Sequence, residues 1–458
     1  MTRMDSFDFV VIGAGPAGEA AAFKARSMEA SVAIVDAGWF GGSCPHIGCL
    51  PSKALLHAAA RHAGGADYSW ARASTHRDYM VNRPEDAAEP DDRSHVRALE
   101  AAGATALRGL ARITARGVVE VAGDDGAREL RGRNIVVAVG SRSKVPPVEG
   151  IAATNPWTNH EATLARDLPR SLLVLGGGPS GCELAQVYAR FGVPVTIVQS
   201  GPRLAPTDHP RNSEAIRFGL ERDGVRVRTG VRAVRARAGG GRDGAHLIDL
   251  DDGSSAEGHA VLLAVGREFP LADLGLEHYG VAVAGPRAYR RDGSLRLADG
   301  LWIAGDPAGP ELHTHQGHYQ GELLVRMALG EDVAPDYRAL PRATYTDPEA
   351  ASVGLTLDEA QAAGIDAFEC TTPYPTSAKG YAIEAETGHV TIVVDRATRE
   401  LVGAAMACPD ASAAIHECVL AIRARVKVEV LAETIHAFPS SSRILNGLFS
   451  EAREALDG

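Results

Sequence analysis

Apolar runs and glycine-rich turns alternate in the same order in two stretches of the chain. In residues 8–36 the pattern predicts a buried strand, a glycine turn, an alanine-rich helix and a second strand. Residues 171–199 repeat this order. The two stretches end in Asp36 and Gln199, each 18 residues after the last glycine of its turn. Two matched units of this kind predict two Rossmann-like βαβ motifs, each binding a dinucleotide.

The glycines of both turns have the spacing that phosphate binding requires. The first glycine permits a tight turn, the second lets the backbone approach a pyrophosphate, and the third lets the helix pack closely on the strand. The helix N-terminus then faces the phosphate charge. These residues are Gly13, Gly15 and Gly18 in the first turn and Gly176, Gly178 and Gly181 in the second.

The residues that close the two motifs differ in charge. Asp36 can accept a hydrogen bond from a ribose with free hydroxyls, so the first site suits FAD or NAD. Gln199 is neutral, and Arg203 follows four residues later. Because neither repels a 2′-phosphate, the second site favours NADPH over NADH. The alternative for Arg203 is an ordinary solvated arginine in a loop.

Three further apolar strands end in glycine. Residues 135–143 and 261–269 carry Val-Gly ends at Gly140 and Gly266, which indicate crossings between nucleotide-binding domains. A third strand ends in Gly305 and Asp306. A carboxylate in this position can bind a ribityl hydroxyl or cap the turn.

Cys44 and Cys49 flank the segment PHIG just before an alanine-rich helical run, and Lys53 follows one helical turn beyond Cys49. A closed zinc site needs about four ligands, and only His46 and more distant histidines accompany the pair. A structural disulfide is a second alternative. The pattern favours a redox pair, because a helix N-terminus stabilises a thiolate and the intervening turn lets the sulfurs meet.

Composition narrows the choice of partners and compartment. The 458 residues are 45% hydrophobic with a net charge of -11, which fits a soluble protein of about two to four domains and argues against nucleic-acid or anionic-membrane partners. The N-terminus leads directly into a strand without the features of a signal peptide, so we expect a cytoplasmic protein. Six cysteines are too few for a disulfide scaffold of this length.

Together these motifs resemble those of the pyridine nucleotide-disulfide oxidoreductases, the family of lipoamide dehydrogenase, glutathione reductase and mercuric reductase. The resemblance covers nearly the whole chain, including TYTDPEAASVGLT near the C-terminal part. It implies an α/β homodimer that uses FAD and NAD(P)H. The implied domains are a split FAD domain at 1–145 and 270–335, an NAD(P)H domain at 146–269 and an α+β dimerisation domain at 336–458.

The resemblance also implies roles for individual residues. Cys49 would contact the flavin, and Cys44 would be the outward sulfur that exchanges with substrate. Lys53 would pair with Glu183 beside the flavin, where hydride arrives from the nicotinamide. Other residues would contact one of the two cofactors, namely Gly42, Ser43, Ala111 and His315, together with the glycines and Asp306 described above. For the neighbouring His313 and His318, a metal-binding trio with His315, a polar flavin-facing pocket and ordinary surface histidines stay open.

The C-terminal segment departs from the family pattern. Disulfide-reducing members carry a histidine and a glutamate there, which act as acid and base across the dimer. Here Phe438 takes the place of the histidine and Arg443 that of the glutamate, while His436 matches a neighbouring position. Losing a general acid costs about 10²- to 10⁴-fold where proton transfer limits the rate. Mercuric reductase also lacks this histidine, but no cysteine follows Cys418 here to deliver a metal.

Three functions are therefore in competition. The favoured one is an FAD-dependent NAD(P)H oxidoreductase whose Cys44–Cys49 disulfide reduces a small acceptor, such as a soft metal ion, a quinone or an activated disulfide. The second is a flavin-only NAD(P)H:quinone or oxygen reductase, and the third is a non-catalytic flavoprotein redox sensor. We also expect residues 76–96 to form a solvated loop that links two helices, and His46 to be a solvated turn residue rather than one that tunes Cys44.

Overall fold

The computed structural model describes residues 5–124, 126–283 and 295–458. The chain divides into two compact units. The first comprises Met1–Pro51, Thr75–Lys144 and Arg267–Asp336, and the second comprises Ser52–Ser74, Val145–Gly266 and Tyr337–Gly458. Both units mix helices and strands, as the alternating pattern predicted. The three-domain boundaries drawn from the resemblance stay a prediction.

Helices and strands alternate through most of the described chain. The helices are α1 Pro16–Ser27, α2 Ser43–Ile47, α3 Cys49–Ala63, α4 Trp70–Met80, α5 Arg93–Ala101, α6 Asn159–Leu164, α7 Pro179–Arg190, α8 Pro210–Arg222, α9 Thr314–Ala328, α10 Leu357–Ala362, α11 Ala378–Ala382, α12 Ala411–Ala414, α13 His416–Ala424, α14 Val428–Glu433 and α15 Ser441–Asp457. The strands of the first half are β1 Asp5–Ile12, β2 Val32–Asp36, β3 Thr105–Arg108, β4 Leu110–Ala115, β5 Val118–Gly123, β6 Gly126–Val137, β7 Arg142–Ser143, β8 Leu172–Leu175, β9 Val195–Gln199, β10 Arg226–Thr229 and β11 Ala233–Arg237. Those of the second half are β12 His246–Leu250, β13 Ser255–Gly258, β14 Ala260–Leu263, β15 Arg267–Glu268, β16 Arg296–Ala298, β17 Leu301–Ile303, β18 Pro341–Thr344, β19 Glu349–Gly354, β20 Ala367–Pro373, β21 His389–Asp395 and β22 Leu401–Cys408.

The first unit is built on an eight-stranded sheet with the path β16-β17-β6-β1-β2-β3, to which β5 and β4 attach beside β6. Strands β17, β6, β1, β2 and β3 run parallel, and the carboxyl end of β1 lies between those of β6 and β2. Phe9, Val10 and Val11 of β1 are completely buried, because a central parallel strand is covered on both faces. The shared carboxyl edge is where ligands of open α/β sheets bind.

The second unit contains three separate sheets. A parallel sheet has the order β10-β9-β8-β14, and a three-stranded antiparallel sheet has the order β11-β12-β13. The third sheet is antiparallel, with the order β18-β19-β22-β21-β20. Its core includes four completely buried residues, Val390 and Ile392 of β21 and Leu445 and Phe449 of α15. Helix α15 is thereby fixed on this sheet by its apolar face.

Candidate active site

The first glycine turn connects β1 to α1 in a conformation that only glycine supports. Gly13 has a φ of +102°, and a Cβ there would lie 2.3 Å from the carbonyl oxygen of Ala138. A Cβ at Gly18 would lie 1.9 Å from the carbonyl oxygen of Gly13. Asp36 then fixes the turn, because its carboxylate accepts the N–H of Ala14 at 2.6 Å. Burial raises the pKa of Asp36.

The second turn, between β8 and α7, repeats this geometry. A Cβ at Gly176 would lie 2.2 Å from a carbonyl oxygen, and one at Gly181 would lie 2.3 Å from the carbonyl oxygen of Gly176. Gln199 takes the position of Asp36, since its Oε1 accepts the N–H of Gly177 at 2.9 Å. The equal offsets seen in the sequence thus correspond to equal hydrogen-bonding roles.

The middle glycines leave the room that a bound pyrophosphate needs. A Cβ at Gly178 would meet nothing within 4 Å, and one at Gly15 would meet only the Cα of Gly42 at 3.8 Å. Both residues precede the first turn of a helix that begins with proline, so main-chain N–H groups at these helix starts point outward. These two cradles fit the phosphates of FAD and of a nicotinamide dinucleotide, with Gly42 and Ser43 beside the first.

Arg203, the predicted partner of a 2′-phosphate, is held by its own loop. Its guanidinium donates to the carbonyl oxygens of Asp208 at 2.6 Å and Pro206 at 2.8 Å, and to the hydroxyl of Ser213 at 3.0 Å. The side chain is therefore more than a solvated loop arginine. A phosphate could use it only through its remaining N–H groups or by replacing some of these bonds.

Cys44 and Cys49 lie close together in the first unit, in the dithiol form. Gly48 separates α2 from α3, so that Cys49 is the first residue of α3. The side chains of the two cysteines are hydrogen bonded to each other, and Thr314 contacts both. The Thr314 hydroxyl lies 3.4 Å from the Cys49 sulfur. The contact with Cys49, followed by burial, raises the pKa of the Cys44 thiol.

Lys53 and Glu183 form an ion pair in the second unit. The ammonium lies 2.7 Å from the carboxylate, and the Glu183 side chain is only 5% exposed. Tyr345 supports both partners, because its N–H donates to the other Glu183 oxygen at 3.0 Å and its ring centre lies 4.4 Å from the Lys53 nitrogen. Sequence reasoning missed Tyr345, although it belongs to the segment TYTDPEAASVGLT.

The two Val-Gly strand ends meet in space. Strands β7 and β15, which follow Gly140 and Gly266, pair with each other in the first unit. Arg267 donates to the carbonyl oxygen of Ser141 at 2.7 Å, and the Ser141 hydroxyl bonds to Asp306. Two of the boundaries between the compact units fall at these strands, after residue 144 and before residue 267. Asp306 is therefore held at the end of β17, after Gly305.

The remaining flavin-contact candidates occupy different surroundings. Ala111 is buried in β4, whereas His315 lies exposed in the first turn of α9. The rings of His313 and His315 stack with centres 5.0 Å apart, and His318 is exposed. In the described ranges no group of three His, Cys, Asp or Glu side chains is arranged to hold a metal ion. The metal-binding trio thus finds no support.

His46 is not the solvated turn residue that we expected. It is 2% exposed, and its Nε2 donates to the carbonyl oxygen of Phe40 at 2.8 Å. Burial lowers the pKa of His46, which favours the neutral ring. The expectation failed because the segment between the two cysteines forms the short helix α2, and His46 is on its buried side.

Residues 76–96 are likewise not one solvated loop. Helix α4 continues to Met80, and α5 begins at Arg93. Arg77 is completely buried, with its guanidinium 2.7 Å from Asp78. Asp92 is also buried and accepts the N–H of Phe40 at 2.8 Å. The expectation was wrong because it took charged residues to be solvated, whereas Arg77 and Asp92 are buried by pairing within the fold.

Phe438 and Arg443 line one cavity in the second unit. The Phe438 side chain is 73% exposed, and Arg443 donates to the amide oxygen of Asn446 at 2.5 Å. His436 does not share this cavity; its Nε2 lies 2.7 Å from Glu417. Neither Phe438 nor Arg443 can act as an acid or a base near neutral pH.

Among the described residues, none of the helices is both long and apolar enough to cross a membrane.

Comparison with known proteins gives matches along almost the entire chain. Residues 7–321 match the sequence model of the pyridine nucleotide-disulphide oxidoreductases, and residues 340–447 match the dimerisation domain of the same family. The dihydrolipoyl dehydrogenase of Thermus scotoductus is 32% identical, with 99% of this chain and 98% of the relative covered. Dihydrolipoyl dehydrogenase 3 of Pseudomonas aeruginosa is 30% identical, with 96% and 97% covered.

A solved structure adds a second kind of relative. The Cu(II) complex of RclA, an HOCl-induced flavoprotein disulfide reductase from Escherichia coli, superimposes with a TM-score of 0.84 at 25% identity. The match covers 98% of this chain and 100% of the other. These comparisons confirm the predicted fold class.

Proposed function

Because the chain belongs to the pyridine nucleotide-disulphide oxidoreductase family, we propose that it reduces a small acceptor through a redox-active Cys44–Cys49 disulfide. Family membership makes it an FAD-dependent oxidoreductase that uses NAD(P)H, and its dimerisation domain indicates a homodimer. FAD would supply electron transfer between the nicotinamide and the sulfurs. The observation that carries the proposal is that the two cysteines contact each other and Thr314, with Cys49 at the start of α3.

The chemistry of the cysteine pair follows from its surroundings. Reduction of the disulfide takes up two electrons and two protons when both sulfurs become thiols. Cys49 begins α3, where the helix N-terminus favours a thiolate. Cys44 keeps its proton more strongly, since the contact with Cys49 and burial raise its pKa. We therefore assign Cys49 as the sulfur that holds negative charge, and Cys44 as the sulfur that carries the proton at rest and loses it to solvent when it attacks the acceptor as a thiolate.

The Lys53–Glu183 pair would act on the flavin side. A lysine ammonium fixed by a buried carboxylate is a localised positive charge, and such a charge favours negative charge that develops nearby. Tyr345 would hold this pair in place through its N–H and its ring. In this proposal Lys53 touches the cofactor, while Glu183 and Tyr345 are positioning residues.

The acceptor must react without an acid from residue 438 or 443. A disulfide with a good leaving thiol needs little protonation, and a soft metal ion binds thiolates directly. The relative named a flavoprotein disulfide reductase supports the first class, and the Cu(II) in its structure supports the second. By the family pattern, in which this segment acts across the dimer, Phe438 would supply an apolar wall and Arg443 a positive charge to the acceptor site of the second subunit.

NADPH is the proposed electron donor, since Gln199 and Arg203 carry no negative charge. The assignments of the glycine turns, Asp306 and His315 to the cofactors belong to the same proposal, as do the three domains. A cytoplasmic location stays a prediction from the sequence.

The test is steady-state turnover with a panel of activated disulfides, quinones and soft metal ions. Cys44→Ser should lower disulfide and metal reduction by at least about a hundredfold, because the reacting sulfur is gone. Cys370→Ser, a buried cysteine far along the chain in β20, is the matched control and should keep the wild-type rates. Unchanged turnover of every acceptor by Cys44→Ser would instead favour the flavin-only reductase. If no acceptor of the panel supports NADPH consumption by the wild-type protein, the protein would be the non-catalytic redox sensor.

A further inference from the structure

A cavity of about 240 Å³ opens beside the start of α15. Two chain segments form it, the end of β20 with the start of α11, and the segment that leads into α15. Its lining residues are Thr372, Ser377, Ala378, Lys379, Phe438, Pro439, Ser440, Arg443, Ile444 and Gly447. The volume has room for a single ring and its substituents rather than for a peptide.

Two cations line this cavity without a carboxylate to neutralise them. Within the part of the chain that the structure describes, Lys379 has no ion pair, and the Arg443 guanidinium is hydrogen bonded to the neutral amide of Asn446 and to no carboxylate. By contrast Arg399, in the turn between β21 and β22, contacts the carboxylates of Glu429 and Asp457. Two like charges on one small cavity repel each other, and an anion between them would relieve that repulsion.

The two serine hydroxyls of the cavity are already used within the fold. The Ser440 hydroxyl accepts the N–H of Arg443 at 3.1 Å as the cap of α15. The Ser377 hydroxyl donates to the carbonyl oxygen of Tyr374 at 2.7 Å and accepts the N–H of Gly380 at 3.0 Å. Recognition of a ligand charge is therefore left to Lys379 and Arg443.

An apolar wall stands next to the two cations. Phe438 presents a ring that is 73% exposed, and Pro439 and Ile444 adjoin it. An exposed aromatic ring beside positive charge matches a ligand that combines an apolar ring with an anionic group.

We propose that this cavity binds the carboxylate of a small aromatic acid, with the carboxylate between Lys379 and Arg443 and the ring against Phe438. The inference deepens the proposed function and rests on it in one respect: it makes the preferred acceptor a carboxylate-bearing molecule. Lys379 is then a residue that determines specificity, and no sequence motif marks it.

The direct test is binding of benzoate and benzamide to the FAD-loaded protein by isothermal titration calorimetry. The two probes have the same ring, and only benzoate is charged. Wild type should bind benzoate and show much weaker binding of benzamide. Lys379→Gln and Arg443→Gln should each weaken benzoate binding by about 3- to 5-fold, the size expected for a partly exposed charge pair. Lys427→Gln, an exposed lysine outside the cavity, is the control and should change nothing.

A kinetic test separates this inference from the proposed function. Dithiobis-nitrobenzoate carries a carboxylate on each ring and dithiodipyridine carries none, while both release good leaving thiols. The selectivity in kcat/KM for the charged over the neutral disulfide should fall about fivefold in Lys379→Gln. Benzoate binding at these residues without turnover of either disulfide would support the site and contradict the proposed function.

Two outcomes would overturn the inference. One is equal binding of benzoate by wild type and both variants, even if both disulfides are turned over. The other is a weaker dimer in the variants, measured by analytical ultracentrifugation, with benzoate binding unchanged. That result would mean that the cavity holds a carboxylate of the second copy of the chain.

Discussion

His389 is a buried histidine whose neutral form is satisfied on both ring nitrogens. It is 4% exposed, with Nε2 at 2.8 Å from Asn212 Oδ1 and Nδ1 at 2.8 Å from the Thr391 hydroxyl. The Asn212 amide nitrogen donates to Asp208 and to the carbonyl oxygen of Ala351, so its oxygen accepts from His389. The ring therefore carries its proton on Nε2 and accepts from the Thr391 hydroxyl on Nδ1, and a second proton on Nδ1 would force the Thr391 hydroxyl to turn and accept instead.

Several groups around His389 set its titration. Burial, the neighbouring His209 ring and Arg211 lower the pKa of His389 from 6.5 to about 3, against the opposing effect of Glu369. The hydrogen bond from His209, together with the hydrogen bond and the charge of Arg211, lowers the pKa of Glu369 to about 2. The Glu369 carboxylate therefore contributes stability that is lost only as the pH falls from about 4.5 towards 2.

The shift of His389 predicts a loss of stability in mild acid. Because its pKa is lower in the folded state, the unfolded chain takes up the proton first as the pH falls. Stability is thus complete above about pH 6.5 and decreases towards pH 3. Between pH 7 and pH 5 the free energy of unfolding should fall by about 2 kcal/mol. The fall occurs over the roughly 1.5 pH units below pH 6.5, at about 1.4 kcal/mol per unit.

The assay is urea unfolding at pH 7 and pH 5 with saturating FAD, followed by circular dichroism. His389→Gln removes the titrating ring, so its loss of stability between the two pH values should be about 2 kcal/mol smaller than that of wild type. His416→Gln, at an exposed histidine, should lose as much as wild type does. An equal loss in wild type and His389→Gln would refute the reasoning, because packing changes cancel in the comparison between pH values.

Three further predictions concern the cofactor and cysteine sites. Lys53→Met should lower the free energy of unfolding by about 3 kcal/mol and Glu183→Gln by less, because only the first leaves a charge that is 5% exposed without its partner; the opposite order in urea unfolding would contradict this. The contact with Cys49 and burial raise the pKa of Cys44, so the reaction of reduced enzyme with a neutral disulfide in stopped flow should accelerate up to about tenfold per pH unit above pH 7, and a flat profile would contradict it. Arg203→Ala should lower kcat/KM for NADPH about fivefold more than for NADH, whereas an equal loss for both would assign Arg203 to loop structure alone.

The nucleotide-binding parts of the fold are predictable from the sequence because their signals are local. A strand, a glycine turn and a helix follow one another within 30 residues, and the last glycine of each turn packs against the first glycine of the same turn. The antiparallel pair β4–β5 carries no such motif. Polar composition also fails to predict exposure at Arg77, which is fully buried because its acidic neighbour Asp78 pairs with it.

The site residues that the sequence did not predict come from distant parts of the chain. Thr314 meets Cys49 across 265 positions, and Tyr345 meets Glu183 across 162. Lys379 lies in a short helix without a recognisable motif. Their roles depend on which distant side chains the fold brings together, and these contacts cannot be predicted from the spacing of residues along the chain. His46 was misjudged for the same reason, because its burial comes from Phe40 and the turn around it.

The central claim is that electrons pass through Cys44 and Cys49, and anaerobic titration with NADPH tests it most directly. After one equivalent, the account predicts a long-wavelength absorption band from a Cys49 thiolate beside oxidised flavin, and its absence in Cys49→Ser. Plain bleaching of the flavin in wild type at one equivalent, without that band, would contradict it.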